Sequence, residues 1–183
     1  MQPTYRDLRT ERLVLRRPEE GDAAHIFRAF GADPEVTRFL TWRPHHSIAD
    51  AEAALAQRLK RLSDGSEYSW VVQRAEHCEA IGVVSAWLAG DGAELGFVLA
   101  RAHWNLGLMT EAVSAVKEWA FADAGAARVW ATCDLENLGS ARVLDKVGLT
   151  ELGLCSGEIV RPNISPSPRP SLLFEARAPR TQG

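Results

Sequence analysis

A mixed α/β domain on a twisted, mostly antiparallel sheet is the fold the sequence predicts, and three observations predict it. Two strand-like stretches, "YSWVVQRA" (68–75) and "AIGVVSAWL" (80–88), flank the polar turn "EHCE" (76–79) as a hairpin would. Farther on, the order changes to strand, helix, strand: "AELGFVLA" (93–100), "TEAVSAVKEWAFADAG" (110–125) and "ARVWATCDL" (127–135) follow one another. Finally, 183 residues with 46% hydrophobic content suffice for one domain with its own core. The expectation is a single domain over 1–183, with about seven strands and about four flanking helices, and 178–183 as an unstructured tail.

Each element has its own signal. "RLVLRRP" (12–18) alternates apolar and basic residues and stops at Pro18, as a first strand would. "GDAAHIFRAFGADPEV" (21–36) reads as a short helix, with Asp22 as N-cap and an end near Gly31 and Pro34. The connector "TRFLTWRPHHS" (37–47) carries aromatic and basic side chains that folding alone does not require. "SIADAEAALAQRLKRLSDG" (47–65) is the clearest helix: Ser47 caps it, Asp50 follows three residues on, and Gly65 ends it. After the fifth strand, "NLGSARVLDKVGL" (137–149) reads as a fourth helix entered at Asn137. The tail "GEIVRPNISPSPRPSLLFEAR" (157–177) reads as two short strands joined by a proline-rich loop. Within it, apolar "SLLF" (171–174) is a candidate sheet edge for pairing with a second subunit. Trp119 and Trp130 fall within apolar periods and are expected in the core.

Composition excludes several classes. A formal net charge of −3 without a basic stripe argues against nucleic acid as a partner. The start "MQPTYRDLRTERL" lacks the apolar run of a secretory signal, and no stretch reaches the length of a membrane span, so the expected location is the cytoplasm. Cys78, Cys133 and Cys155 are odd in number and widely spaced, which reads as reduced core thiols. The five histidines have no metal-ligand spacing, and no metal is expected.

Chemistry concentrates in two stretches. In "WNLGLMTEA" (104–112) a lone glycine, Gly107, separates a predicted strand from a predicted helix. Such a turn brings unpaired backbone N–H groups to the positive end of a helix, a fit for a pyrophosphate. The same residues also suit a plain strand–helix turn, and neither GxGxxG nor a Walker lysine is present. In "NLGSARVLDKVGL" Asn137 and Ser140 sit at a helix entrance, where they also suit an N-cap and its first-turn helper.

Taken together and in this order, the two stretches resemble the GNAT superfamily of N-acetyltransferases. "WNLGLM" matches its pyrophosphate loop R/Q-x-x-G-x-G/A, and "NLGSARVLDKVGL" matches its later helix N-x-x-S-x-x-V-L-x-K-x-G-F. "TERLVLRRPEEGDA", "AIGVVS", "AELGFVLARAHW", "GLMTEAV" and "RPNISPSPR" look like the RimJ/RimL-type branch, so the resemblance spans nearly the whole chain. There are departures. Trp104 stands in place of Arg or Gln, and Asn105 and Leu106 in place of glycine and a basic residue. Met109 fills a small-residue position, Leu149 replaces Phe, and Pro170 falls where relatives tend to carry aspartate.

The resemblance implies a GNAT-type sheet and acetyl-CoA as co-substrate. It implies a cofactor site of Phe97, Val98 and Leu99 on the strand, Trp104, Asn105, Leu106, Gly107, Leu108, Met109 and Thr110 in the turn, and Asn137, Ser140 and Arg142 on the later helix. Direct transfer to an amine needs a proton acceptor and a donor for the leaving thiolate. Glu94, which shares a strand face with Gly96 and Val98, is the candidate base, and Ser140 the candidate acid. A backbone N–H near Val98 or Leu99 would hold the oxyanion. Trp42, Arg43, His46 and Trp87 are the candidate acceptor-side residues. Residues 37–49 hold no Asp or Glu, which favours a protein or peptide α-amine or an amino-acid-like acceptor. The alternatives are an antibiotic or polyamine acetyltransferase and an acyl-CoA-binding module without turnover. A homodimer is expected from the relatives.

Overall fold

The structure is a computed structural model, and it describes residues 3–155 and 159–179. Eight strands form one sheet in the order β1-β2-β3-β4-β5-β6-β8-β7. They are β1 (Leu8–Arg9), β2 (Leu13–Arg16), β3 (Tyr68–Arg74), β4 (Ala80–Ala89), β5 (Gly92–Leu99), β6 (Arg128–Asp134), β7 (Thr150–Cys155) and β8 (Ser171–Arg177). Every neighbouring pair is antiparallel except β5–β6. The helices are α1 (Ala23–Ile26, running on through a π turn at Phe27–Gly31), α2 (Pro34–Thr37), α3 (Ile48–Asp64), α4 (Leu108–Ala122) and α5 (Leu138–Lys146). The mixed α/β class holds. One more strand and one more helix than expected arise from the two-residue β1 and the single-turn α2, both too short for a periodic signal.

Local chemistry sets the boundaries. The Ser47 side chain accepts from the Asp50 N–H while Asp50 accepts from the Ser47 N–H, which completes a capping box at the start of α3. Such a cap stabilises a helix by about 1 kcal/mol. Gly65, at φ 77°, turns the chain out at the other end. Asp22 acts differently from the expected cap: it accepts from the Glu19 N–H and pairs with Arg16 at 2.5 Å. Asp33 caps α2 by accepting from the Glu35 N–H.

Two apolar layers sandwich the sheet. On one side α4 packs on Leu13, Leu15, Trp70, Val84, Leu95 and Val129, with Trp119 and Trp70 edge to face at 4.8 Å. On the other, α1 and α3 bring Phe30, Ala51 and Leu55 onto Val71 and Val83. Trp119 is buried as expected, whereas Trp130 is only half-buried. It lies on the opposite face of β6 from Val129 and Ala131, which point into the α4 layer. Cys133 is buried and Cys155 partly so, but Cys78 lies exposed in the turn after β3.

The tail departs from expectation. The outermost strand is Thr150–Cys155, while Ser171–Arg177 lies between it and β6, paired along both edges. The "SLLF" stretch is therefore interior and cannot pair with a second subunit; the open edge on this side belongs to β7. The expected strand near 159 reduces to a single bridge, Val160 to Pro168. Residues 156–158, and 180–183 of the expected tail, lie outside the described residues.

Candidate active site

The one parallel ladder is short. β5 and β6 pair only from Gly92, Ala93 and Glu94 to Arg128, Val129 and Trp130, yet β5 continues to Leu99 and β6 to Asp134. Beyond Glu94 the facing edge of β5 thus has no strand partner. Ala100 donates to Ile81 on the β4 side, so by alternation the N–H groups of Phe97 and Leu99 face the opened edge. The Leu99 carbonyl on that edge accepts from the Trp104 indole N–H at 2.8 Å.

From this gap the chain enters the 104–110 turn. Asn105 at φ 60° and Gly107 at φ 74° both take left-handed backbone, a geometry glycine tolerates best. Backbone pairing stops where Trp104 N–H donates to Arg101 and resumes where Glu111 N–H donates to Gly107. Between them, Asn105 to Thr110 keep their N–H groups without a protein acceptor among the described residues, at the positive end of the fifteen-residue α4. That cradle fits a pyrophosphate.

A residue from β2's approach braces it. Arg12 donates from Nη1 to the Leu106 carbonyl at 2.9 Å and from Nε to Glu111 at 2.7 Å, and its own N–H also reaches Glu111. Burial alone would raise the Glu111 carboxyl, but the hydrogen bonds from Thr10 and Arg12 outweigh it and hold it below the usual range. Arg12 Nη2 comes within 3.6 Å of the position a Gly107 Cβ would take. A guanidinium thus stands beside the turn, although Leu106 replaces the loop's usual basic residue.

A cavity of about 540 Å³ runs from this turn across the gap. Phe97, Val98 and Leu99 line it, with Trp104, Asn105, Gly107, Leu108, Met109 and Thr110 from the turn and Asn137, Ser140, Arg142 and Lys146 from α5. Leu106 points outward and is half-exposed. Asn137 caps α5, its Oδ1 accepting from the Ser140 N–H at 3.1 Å. The Ser140 hydroxyl has no hydrogen-bond partner among the described residues.

The opposite wall comes from Arg38, Phe39 and Leu40, at the start of the 37–47 connector, and from Glu35, Val36 and Glu136, which the sequence did not single out. Trp42, Arg43 and His46 do not line the cavity. Helix α2 brings residues 35–40 to it, after which the chain turns away: His45 N–H donates to Gly31 and Trp42 stacks on the His45 ring at 5.0 Å. His46 N–H is tied to Asp50 at the α3 cap.

The tail loop ties both walls together. Asn163 donates to the carbonyls of Thr37 and Trp42, at 2.7 and 2.8 Å. Arg169 grips buried Asp134 at 2.7 and 3.2 Å and reaches Glu136 at 2.9 Å, while buried Arg161 lies 3.7 Å from the same Asp134. Burial would raise the Asp134 carboxyl, but the hydrogen bonds from Arg169 and the Glu136 N–H hold it low. Asp134, held by Arg169 and close to Arg161, is the acidic anchor of this loop.

Glu94 and Trp87 stand outside the cavity lining. They pair directly across β4–β5, on the face away from α4. Glu94 is half-buried, and desolvation raises its pKa above the usual carboxylate range. Val98 lies four residues along the same face, about 13 Å of strand.

Arg12, Asn163 and Arg169 were missed because their partners lie 94 or more, 121 or more, and 33 or more residues away. "TERL" offered a signal only through the family resemblance. Among the described residues no group of three His, Cys, Asp or Glu side chains is placed to hold a metal, and no helix is long and apolar enough to cross a membrane.

Residues 12–150 match the acetyltransferase (GNAT) domain family. The uncharacterized N-acetyltransferase YoaA of Bacillus subtilis is 29% identical over 150 residues, 80% of this chain and 84% of that one. A putative ribosomal-protein-serine acetyltransferase from Vibrio cholerae superposes with a TM-score of 0.84 at 19% identity, covering 97% of this chain and all (100%) of the other. RimJ of Mycobacterium smegmatis, solved in complex with CoA-disulfide, gives 0.81 at 21% identity, covering 93% and 84%. At these identities the two solved structures establish the likeness of fold.

Proposed function

We propose that this chain, which belongs to the GNAT family of acetyltransferases, moves an acetyl group onto the α-amine of a protein N-terminus, a peptide or an amino-acid-like acceptor. Acetyl-CoA-dependent transfer to nitrogen is the activity itself; the acceptor and the residue roles are our reading. The observation that carries it is the parting of β5 from β6 directly before the 104–110 turn. The parting leaves strand N–H groups and helix N–H groups unpaired along one cleft.

Acetyl-CoA supplies an acetyl group activated as a thioester. The N–H groups of residues 105–110 and the Arg142 guanidinium hold its phosphates, and the free edge of β5 lies along the pantetheine. The Leu99 N–H stabilises the negative charge that grows on the acetyl oxygen as nitrogen attacks. Ser140 donates a proton to the departing sulfur and regains one from solvent in the same step. Glu94 takes the amine proton through a chain of waters, because about 13 Å of strand separates it from Val98. Its raised pKa brings it closer to an amine's range and makes it a better proton acceptor than a free carboxylate.

A polyamine or antibiotic acceptor is the second reading. Glu35 on the cavity wall favours it, since an acidic wall attracts polycations. The deciding experiment measures turnover with N-terminal peptides, amino acids, polyamines and aminoglycosides, and repeats it with Glu94→Gln. Peptides or amino acids should be the best substrates, and kcat should fall on the order of a hundredfold with acetyl-CoA affinity intact. Preference for polyamines would select the second reading, and an unaltered kcat would remove Glu94 from the mechanism.

A further inference from the structure

We infer that Trp87, Glu94 and Trp130 form a cation subsite that receives the acceptor's protonated amine before its proton is lost. The register is the first observation. Trp87 pairs with Glu94 across β4–β5, and Glu94 pairs with Trp130 across β5–β6, so three adjacent strands present an indole, a carboxylate and an indole in one row. Paired residues share a face, and this is the face opposite α4.

The glycines are the second observation. Gly92 and Gly96 flank Glu94 on its own strand and face. A Cβ at Gly96 would lie 2.8 Å from Cζ3 of Trp87, and one at Gly92 would lie 2.6 and 2.7 Å from the carbonyl oxygen and Cγ of Arg128 and 2.8 Å from Cζ3 of Trp130. Trp87 therefore leans over β5 into the place of a side chain at 96, and Trp130 together with Arg128 fills the place of one at 92. Glu94 emerges between the two indoles; a side chain at 96 would push Trp87 aside, and one at 92 would meet Arg128 and Trp130.

The third observation is charge. The Glu94 carboxylate has no hydrogen bond or ion pair among the described residues. Arg128 binds Asp91 and Glu175 at 3.3 Å each, Arg177 binds Glu175 at 3.0 Å, and Arg58, which reaches Ser85 beside Gly96, shares Glu67 with Arg61. Among these carboxylates Glu94 is the one with no arginine on it. Arg128 also stacks on Trp130, 4.5 Å from the ring centroid, so this indole already attracts a cation on one face. A half-buried carboxylate between aromatic edges suits an ammonium carried on a short apolar stem. The site is poor for an anion.

This inference rests on the proposed amine acetylation, and the test separates the two. Enzyme saturated with CoA, which lacks an acetyl group and cannot turn over, is titrated with alaninamide and with propionamide, which differ by the amine. The readout is the indole N–H resonances, assigned to Trp87 and Trp130 with Trp87→Phe and Trp130→Phe. Alaninamide should shift both saturably and propionamide neither. Glu94→Gln should abolish the response, and Trp130→Leu should weaken it roughly tenfold. Equal shifts from both probes, shifts that survive Glu94→Gln, or no shift at either indole would each overturn the subsite. Turnover of amines by wild-type enzyme would still stand in that case. Conversely, saturable binding without acetyl transfer to any amine would keep the subsite and remove the proposed acceptor chemistry.

Discussion

The two halves of the cleft are built by different means. The acetyl-CoA half is backbone: unpaired N–H groups from one continuous stretch, 104–110, and from the edge of one strand. The half we assign to the acceptor is side chain: Glu35, Arg38, Phe39 and Leu40 from one segment, Glu136 from another, and a tail loop that binds both through Asn163 and Arg169. A backbone site tolerates changes of side chain, provided its dihedrals survive. A site assembled from distant segments can change its ligand without changing the fold. Substitutions should therefore divide cleanly by which substrate they disturb.

The largest effect should come from Gly107→Val. A β-branched residue at φ 74° is strained, and the turn must move to relieve it. Loss of two or more hydrogen bonds to phosphate should weaken acetyl-CoA by about a hundredfold. Calorimetry on folded variant decides: unchanged affinity would mean that the phosphates lie elsewhere. Arg12→Ala should act in the same half but less, since it removes a brace and a nearby charge and leaves the donors in place. A weakening of roughly tenfold is expected, with Arg12→Lys recovering only part, because lysine cannot hold Leu106 and Glu111 together. Full recovery by lysine would show that charge alone matters.

These two residues also show what the sequence discloses. Gly107 was legible because its partners are its own neighbours: strand, turn and helix follow in order. The α3 capping box was legible for the same reason, as were the core strands with their apolar runs. Arg12 was invisible, since nothing in "TERL" indicates Glu111 as its partner. The 42–46 segment misled because its aromatic and basic side chains suggest recognition, whereas Trp42 and His45 stack on each other. Trp130 misled in the other direction: an apolar strand hid the alternation that takes it out of the core. The β7–β8 arrangement depends on which strand inserts beside β6, a long-range choice with no local signature.

On the acceptor side, Asn163→Ala should raise the acceptor KM about fivefold and leave acetyl-CoA affinity alone. It removes two donors that hold the carbonyls of Thr37 and Trp42, each worth about 1 kcal/mol, and releases the loop that carries Arg38 and Phe39. An equal loss of affinity for both substrates would break the division, because the tail loop would then be organising the whole cleft.

The smallest effect should be on stability, where Glu94→Gln brings a gain and not a loss. Its carboxylate is half-buried without a partner, and desolvation raises its pKa, so the folded chain keeps this proton at pH values where the unfolded chain has released it. In that window the native state binds more protons than the unfolded state. Stability therefore falls as pH rises from the unfolded carboxylate range through the raised folded value, and stays lower beyond it. Glutamine has no such proton and escapes the loss. The two proteins should melt together at acid pH, and the variant should melt higher at neutral pH, by on the order of 2 °C. Thermal unfolding of both across that range tests it, without substrate and without turnover. A variant less stable at neutral pH would mean that the carboxylate has a favourable partner in the folded chain. It would then not be the unmatched charge that an incoming ammonium requires.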